Sequence, residues 1–325
     1  MITHTDALLL EQDLTLSLGQ RELTQPVAGQ ALLRLEWAGV CGSDLHVIRT
    51  GDWVNTWPAT LGHEAVGVVL DCPGGEFVVG TRVVVDSRVP CGDCHGCTQS
   101  ANLCERLAWV GEIVPGGFER HAVLDVALLH ACPEGLEAEI AVLAEPLAVA
   151  MHAVNRAGRL PESVLLIGYG PIGALVHSEI TRRSPHINVL VREPNPMRLE
   201  LALALGARSY EPSHPMRMPL VVDAAGYATS VADSIDLVSN GGTVLVVAIP
   251  HQPITLDGQG IVERSLNIIG CNGFADELPI AMAALDANPD RYRPLITEAV
   301  LLEDLVARLS DIASRPPAGK IVVRL

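Results

Sequence analysis

Short apolar runs, broken by glycine and proline, dominate residues 1–145; "EAVGVVL" at 64–70 and "TRVVVDS" at 81–87 are typical. Runs of this length, rich in valine and bounded by turn formers, predict β-strands. Past residue 146 the rhythm changes. Apolar strands "SVLLIG", "INVLV", "PLVVDAAG" and "TVLVVAI" alternate with helical stretches "IGALVHSEITRR", "MRLELALALG" and "ATSVADSIDLVS". Strand–helix–strand alternation predicts a parallel sheet with crossover helices. Residues 273–325 hold two helical patterns, "DELPIAMAALDAN" and "LEDLVARLSDIAS", then a strand-like "KIVVRL". No internal repeat or low-complexity linker interrupts this order.

Composition narrows the picture. The chain has 325 residues, 49% of them hydrophobic, enough for one large domain or two ordinary ones with a substantial core. The longest apolar candidate, 139–154, contains Glu145, Pro146 and His152, so no bilayer span is expected. The opening "MITHTDALLLEQDL" lacks the basic-then-apolar order of a signal peptide. A cytoplasmic protein is the expectation. The formal net charge is −16, and Lys320 is the only lysine beside 21 arginines. With no basic cluster to displace phosphate counterions, nucleic acid and anionic membrane surfaces are excluded as partners; a small-molecule substrate remains.

Four of the eight cysteines fall within fourteen residues: Cys91, Cys94, Cys97 and Cys104, in "CGDCHGCTQSANLC". In a reducing compartment such clustering favours metal over disulfide. Four thiolates in one tight loop suit a closed tetrahedral zinc shell with no room for substrate, hence a structural zinc. Four reduced thiols or an iron–sulfur cluster are the alternatives. His95 lies inside the loop but outside a completed shell.

A second donor set is dispersed. "GVCGSDLH" offers Cys41, Ser43, Asp44 and His46; "LGHEAVG" offers His63 and Glu64; "LAEPLAVAMHAV" offers Glu145. Singly each is weak, because a lone cysteine is usually a small core residue. Together, thiolate, imidazole and carboxylate suit a zinc with an open position, able to polarise a substrate oxygen. In "VLLIGYGPIGALV", Gly168, Gly170 and Gly173 stand as G-x-G-x-x-G after a predicted strand and before a predicted helix. That context lets a pyrophosphate sit on the helix N-terminus. Glu193, twenty positions beyond Gly173, suits the adenosine ribose hydroxyls and repels a 2′-phosphate, favouring NAD over NADP. Arg192 complicates this unless strand alternation turns it away.

In order, "GVCGSDLH", "GHEAVGVV", the four-cysteine loop, "GGFERHAVL", "AEPLAVAMHAV" and "GYGPIG" resemble the zinc-dependent medium-chain dehydrogenases, and within them the polyol (sorbitol) and threonine dehydrogenase branch. The resemblance implies an α/β protein. A GroES-like β-barrel catalytic domain (1–145 and 273–325) would accompany a Rossmann doubly wound cofactor domain (146–272), with the chemistry in the cleft between. It implies catalytic-zinc ligands Cys41, His63 and Glu64, with Glu145 reaching the same ion directly or through water, a second, structural zinc, and NAD contacts that include Pro171, Ile172 and Arg198. It implies hydride transfer from a secondary alcohol of a polyol, cyclitol or aminocyclitol. A threonine-like amino alcohol is the runner-up, and a non-catalytic relative the other class. Ser43 and His46 would relay the proton; a ribose-contacting or merely exposed His46 is the alternative. Asp44 would orient the ligands. Trp53 and Trp109 are the expected pocket aromatics in a chain with 3% aromatic residues, plain packing being their alternative. Similar proteins are dimers or tetramers pairing sheet edges, here through "RSLNIIGC".

Two departures from the family pattern stand out. The cysteine loop has six residues, not seven, before its fourth cysteine. The passage 206–221 is short, so one crossover helix is expected to be abbreviated or absent.

Overall fold

The structure is a computed structural model that describes residues 2–211, 216–227, 229–250 and 252–325. Two compact units emerge. The first runs to Glu145 and resumes over Leu278–Pro316 and Lys320–Leu325; the second is Pro146–Glu277 with Pro317–Gly319. The return to the first unit therefore comes after residue 277, not 272.

The first unit begins with a hairpin, β1 (His4–Leu10) and β2 (Leu16–Glu22). Its main sheet is built on β3 (Gln30–Gly39), β4 (Glu64–Asp71), β5 (Arg82–Val85), β8 (His121–Asp125) and β9 (Leu129–Ala131). A two-stranded ribbon, β6 (Arg88–Val89) and β7 (Ala108–Trp109), carries the cysteine loop between its strands. Ten-residue β3 pairs antiparallel with β4, with β8 and with the last strand, β17 (Lys320–Arg324), which lies parallel to β16 (Ile296–Leu301). Alternate side chains feed two apolar clusters, one around Leu8, Leu61, Phe118 and Ile321, the other around Leu33, Leu35, Val83 and Val85. Helix α1 (Gly42–Thr50) follows β3 directly. Helix α2 (Ala138–Ala141) precedes α3 (Ala144–Arg156), along which the chain passes into the second unit.

The second unit is a six-stranded sheet of order β12-β11-β10-β13-β14-β15. The strands are β10 (Ser163–Ile167), β11 (Asn188–Arg192), β12 (Arg208–Ser209), β13 (Met218–Asp223), β14 (Val238–Val246) and β15 (Asn267–Gly270). Every pairing is parallel. Parallel strands covered on both faces read as continuous apolar runs, and Leu165, Ile167, Val221 and Val244 are fully buried. Crossovers are made by α4 (Pro171–Arg183), α5 (Pro196–Ala204), α6 (Ser230–Leu237) and α7 (Gly258–Glu263). Six-residue α7 had no distinct apolar period to announce it. Between β12 and β13 no helix occurs among the described residues; 212–215, on which that expectation partly rests, lie outside them, as does Ala228 in the stretch read as α6. Helices α8 (Leu278–Ala287), α9 (Pro289–Tyr292) and α10 (Leu305–Asp311) return to the first unit.

Candidate metal and cofactor sites

The β6–β7 ribbon closes its loop around four thiols. The sulfur separations are 3.4 Å (Cys91–Cys104), 3.5 Å (Cys94–Cys97), 3.8 Å (Cys91–Cys97) and 3.9 Å (Cys94–Cys104). Four sulfurs about 2.3 Å from a central zinc stand about 3.8 Å apart, so the loop fits that ion. All four cysteines are free thiols. Backbone amides serve the sulfurs. Cys91 N–H donates to Cys104 Sγ at 3.3 Å and Glu105 N–H to Cys94 Sγ at 3.3 Å. Amides from Glu105 and Cys97 draw the Cys94 thiol down to about 6, which favours the thiolate a metal needs.

The second donor set is assembled where β3 ends and β4 begins. Gly39 and Glu64 are direct cross-strand partners. Two residues past Gly39, Cys41 caps α1, and His63 immediately precedes β4. One ligand atom each from Cys41, His63 and Glu64 lie within 4.8 Å of one another. Asp44 holds the frame: its Oδ2 accepts from Cys41 N–H at 2.8 Å and its Oδ1 from Gly62 N–H at 3.2 Å, with His63 Nδ1 3.7 Å from Oδ1. Glu145, at the start of α3, is buried, and its Oε1 accepts the Ser87 hydroxyl at 2.7 Å.

Electrostatics indicate what this cluster lacks. Burial alone would lower the His63 imidazole, but the Cys41 thiolate, Asp44 and Glu145 hold it well above its usual range. Burial raises the carboxyls of Asp44 and Glu145 against the opposing pull of His63. Buried negative charge in such surplus fits a divalent cation. One cation is already present. Lys320, 2% exposed at the start of β17, donates to Glu64 Oε1 and forms an ion contact with Oε2. Glu64 Oε2 accepts no hydrogen bond although it is buried. Gly39 makes this pairing possible, since a Cβ there would lie 1.9 Å from Glu64 Oε2 and 2.9 Å from Lys320 Cε. Sequence reasoning missed Lys320 and Ser87. Being the sole lysine, beginning an apolar strand, was the only signal for the former.

On α1, Ser43 and His46 are three residues apart and so share a helix face. His46 is 9% exposed, and its Nε2 lies 3.0 Å from Oδ2 of the exposed Asp52. Trp53, with a φ of +71°, packs its ring 4.7 Å from the His46 imidazole. Asp52 was also not foreseen. A shallow, solvent-open recess is lined by Ser43, Asp44, Val47, Leu61, His63, Val110, Gly111 and Glu112. Neither Trp53 nor Trp109 lines it; the three residues after Trp109 do.

In the second unit the glycine loop behaves as its spacing requires. Gly168 has a φ of +88°, and a Cβ there would meet Ala225 at 2.9 Å. At Gly173 it would lie 2.3 Å from the Gly168 carbonyl oxygen. Gly170 caps α4 ahead of Pro171 and Ile172, and its Cβ position has only Arg198 Nη1 nearby, at 3.9 Å. This open amide cradle fits a pyrophosphate. Glu193 accepts from Tyr169 N–H at 2.6 Å and Asn195 N–H at 2.8 Å, so its carboxylate is anchored to the loop. Arg192 turns instead to Asp233, at 3.0 Å. Arg198 Nε donates to the Pro317 carbonyl at 3.1 Å. His177 is a buried partner of the Tyr169 hydroxyl, at 2.7 Å.

Residues 27–134 match the family described as the alcohol dehydrogenase GroES-like domain. Starvation-sensing protein RspB of Escherichia coli is 30% identical over 90% of this chain and 90% of its own. D-Altritol 5-dehydrogenase of Agrobacterium fabrum is 29% identical over 90% of this chain and 91% of its own. The crystal structure of a short chain alcohol dehydrogenase (RspB) from E. coli CFT073 complexed with cofactor NADH has a TM-score of 0.89 at 27% identity, covering 100% of both chains.

Proposed function

The chain belongs to the zinc-type alcohol dehydrogenases of the medium-chain family, and from that premise we propose that it oxidises a secondary alcohol of a polyol, cyclitol or aminocyclitol with NAD as hydride acceptor. It is an oxidoreductase of CH–OH donors that uses a nicotinamide dinucleotide. The observation that carries the finer reading is the convergence of Cys41, His63 and Glu64 to within 4.8 Å beside a recess. The altritol dehydrogenase among its relatives supports a hydroxyl-rich substrate.

Cys41, His63 and Glu64, with Glu145 nearby, would hold zinc, which when bound acidifies a substrate hydroxyl, while the nicotinamide takes the hydride. A second zinc would sit in the cysteine loop. Ser43 receives the hydroxyl proton and His46 passes it on, an imidazole being suited to transfer near neutral pH. Asp52, exposed and bonded to His46, is the solvent end of this route. Asp44 orients the ligand segments through the Cys41 and Gly62 amides. NAD is preferred to NADP because Glu193 presents its carboxylate at the glycine loop while Arg192 is paired with Asp233. A homodimer or homotetramer formed through the edge strand β15 completes the proposal. Among the described residues no helix is long and apolar enough to cross a membrane.

The test is nicotinamide reduction by the zinc-loaded protein, with NAD and NADP offered separately and a panel of polyols, inositols, aminocyclitols and amino alcohols. The expected result is a rate with NAD and a hydroxyl-rich substrate that Cys41→Ser abolishes. A Cys41→Ser variant that stays folded and keeps the wild-type rate would overturn the assignment of the metal site.

A further inference from the structure

Tyr169 and His177 are buried polar residues of the second unit that neither the metal sites nor the proton route uses. Tyr169 stands between Gly168 and Gly170 with its side chain wholly buried; His177 lies on α4 and is 3% exposed. The phenol oxygen and His177 Nδ1 are 2.7 Å apart, and the two rings stand 5.8 Å apart, tilted by 59°. Whichever tautomer the imidazole adopts, one of the two groups donates and the other accepts. Phenylalanine and leucine would fill similar space without burying polar atoms, and buried polar groups cost stability unless they are paired. What the pair adds is direction, because a satisfied buried hydrogen bond fixes where a side chain stands more narrowly than apolar packing does. The main chain of the same residue is bonded elsewhere. Tyr169 N–H donates to Glu193 Oε2 at 2.6 Å, and the preceding Gly168 N–H donates to the Arg192 carbonyl at 3.0 Å. Tyr169 thus ties its loop to α4 through the hydroxyl and to the end of β11 through the amide.

We propose that Tyr169 and His177 are positioning residues for the dinucleotide: their bond holds the amide cradle of α4 and the Glu193 carboxylate in one fixed relation, so that a single ligand can reach both. This rests on the use of a nicotinamide dinucleotide, and on neither the alcohol nor the metal. The cradle that would receive the pyrophosphate is the start of α4 at Gly170, and the carboxylate that would receive the ribose is Glu193. They belong to different elements, and Tyr169 is bonded to both. The backbone on either side of Tyr169 is glycine, and Gly168 takes a φ of +88°, so the loop has unusual conformational freedom. A side chain anchored in the core offsets that freedom. Without the anchor the loop spends part of its time in arrangements that do not bind, and apparent affinity falls in proportion to the competent fraction. Both rings are buried, so they act through the loop and not by touching the ligand.

The experiment measures NADH binding to the full chain by calorimetry, without substrate and below the melting temperature of every variant. Wild type is compared with Tyr169→Phe, His177→Leu, His177→Gln and the double variant Tyr169→Phe/His177→Leu. Tyr169→Phe keeps the ring and removes only the hydroxyl; it is expected to weaken NADH binding roughly three- to tenfold, the range of one lost hydrogen bond. His177→Leu, which leaves the phenol oxygen buried and unpaired by the imidazole, should weaken binding at least as much. The double variant should bind no more weakly than His177→Leu alone, since both deletions remove the same contact. His177→Gln, whose amide can again pair with the phenol, should restore most of the affinity. A pair that serves stability alone would lower the melting temperature and leave the NADH dissociation constant of the folded protein unchanged, and that result would overturn the proposal. So would fully additive losses in the double variant, or His177→Gln binding as weakly as His177→Leu. A wild type that binds no NADH would refute the dinucleotide site and this proposal together. NADH binding that follows the expected order of variants, with no alcohol turned over, would sustain the role of the pair and refute the proposed reaction alone.

Discussion

The side chain that bears most directly on the proposed metal centre from outside its donor set is Lys320. It is buried, and Glu64 raises its ammonium against the lowering effect of burial. Lys320→Met removes the buried ammonium paired with Glu64 while roughly keeping the volume. Breaking a buried pair by deleting one partner costs about 3–5 kcal/mol, so a large drop in melting temperature of the metal-free protein is expected. Supplying zinc should recover part of it, because the ion replaces the lost cation. A variant as stable as wild type without metal would show that the pair does not matter. Because this is the sole lysine, its burial can be read directly. An amine-reactive reagent should leave the Lys320 peptide unlabelled in the native protein and label it in denaturant. Glu112 gives a second prediction, with a defined sign. In the metal-free protein burial pushes its carboxyl up to about 7 from an ordinary 4.5, against the pull of His63. A raised carboxyl contributes stability fully below about 4.5 and loses it as pH climbs through 7. Glu112→Gln should therefore melt higher relative to wild type at about pH 8 than at about pH 5. An equal difference at both pH values would mean that Glu112 is not strained when ionised.

Among elements, those announced by local spacing were the ones read most easily from sequence. The four cysteines lie in one loop, and the glycines of 168–173 sit between strand β10 and helix α4, because each function there needs neighbours in sequence. What could not be read were partners brought in by distant strands. Lys320 meets Glu64 across 256 positions, and Ser87 meets Glu145 across 58, with no periodicity to announce either. Asp52 sits only six residues from His46 but beyond the end of α1, where a turn and not a helical repeat sets the direction. The tryptophans expected as pocket aromatics do not line the recess beside His63. Their scarcity and their positions near the donor motifs suggested a pocket wall; Trp53 stands 40% exposed against His46, and the recess is lined by the residues after Trp109. The cysteine loop is an insertion within the short β6–β7 ribbon, whose two pairs alone cannot hold it. Stripping its metal should therefore abolish amide protection across 88–110 in hydrogen exchange and leave β10, β13 and β14 protected. Uniform loss throughout both units would instead make the loop part of a global cooperative core.

For the molecule as a whole, the first unit is a discontinuous stretch of chain whose last strand, β17, completes the sheet that carries the proposed metal donors. Folding of that centre thus waits on the C-terminal residues, whereas the six parallel strands of the second unit are nearly continuous in sequence. That sheet ends on one side in β15, whose Ile268 and Ile269 are only partly buried. An unprotected parallel edge with apolar side chains is a template for pairing, and nothing charged lies within Asn267–Gly270 to blunt it. The net charge of −16 would oppose association in general, so any stable self-association has to be local and apolar. Light scattering of the wild type should then give a dimer or tetramer, and Ile268→Lys, which places a charge on the edge at a residue that also packs partly against the sheet's core, should shift it toward the monomer. The dehydrogenase rate with saturating NAD is the control for folding. A monomeric wild type, or an Ile268→Lys variant of unchanged mass, would assign association to some other surface and leave β15 as an edge shielded by charge repulsion alone.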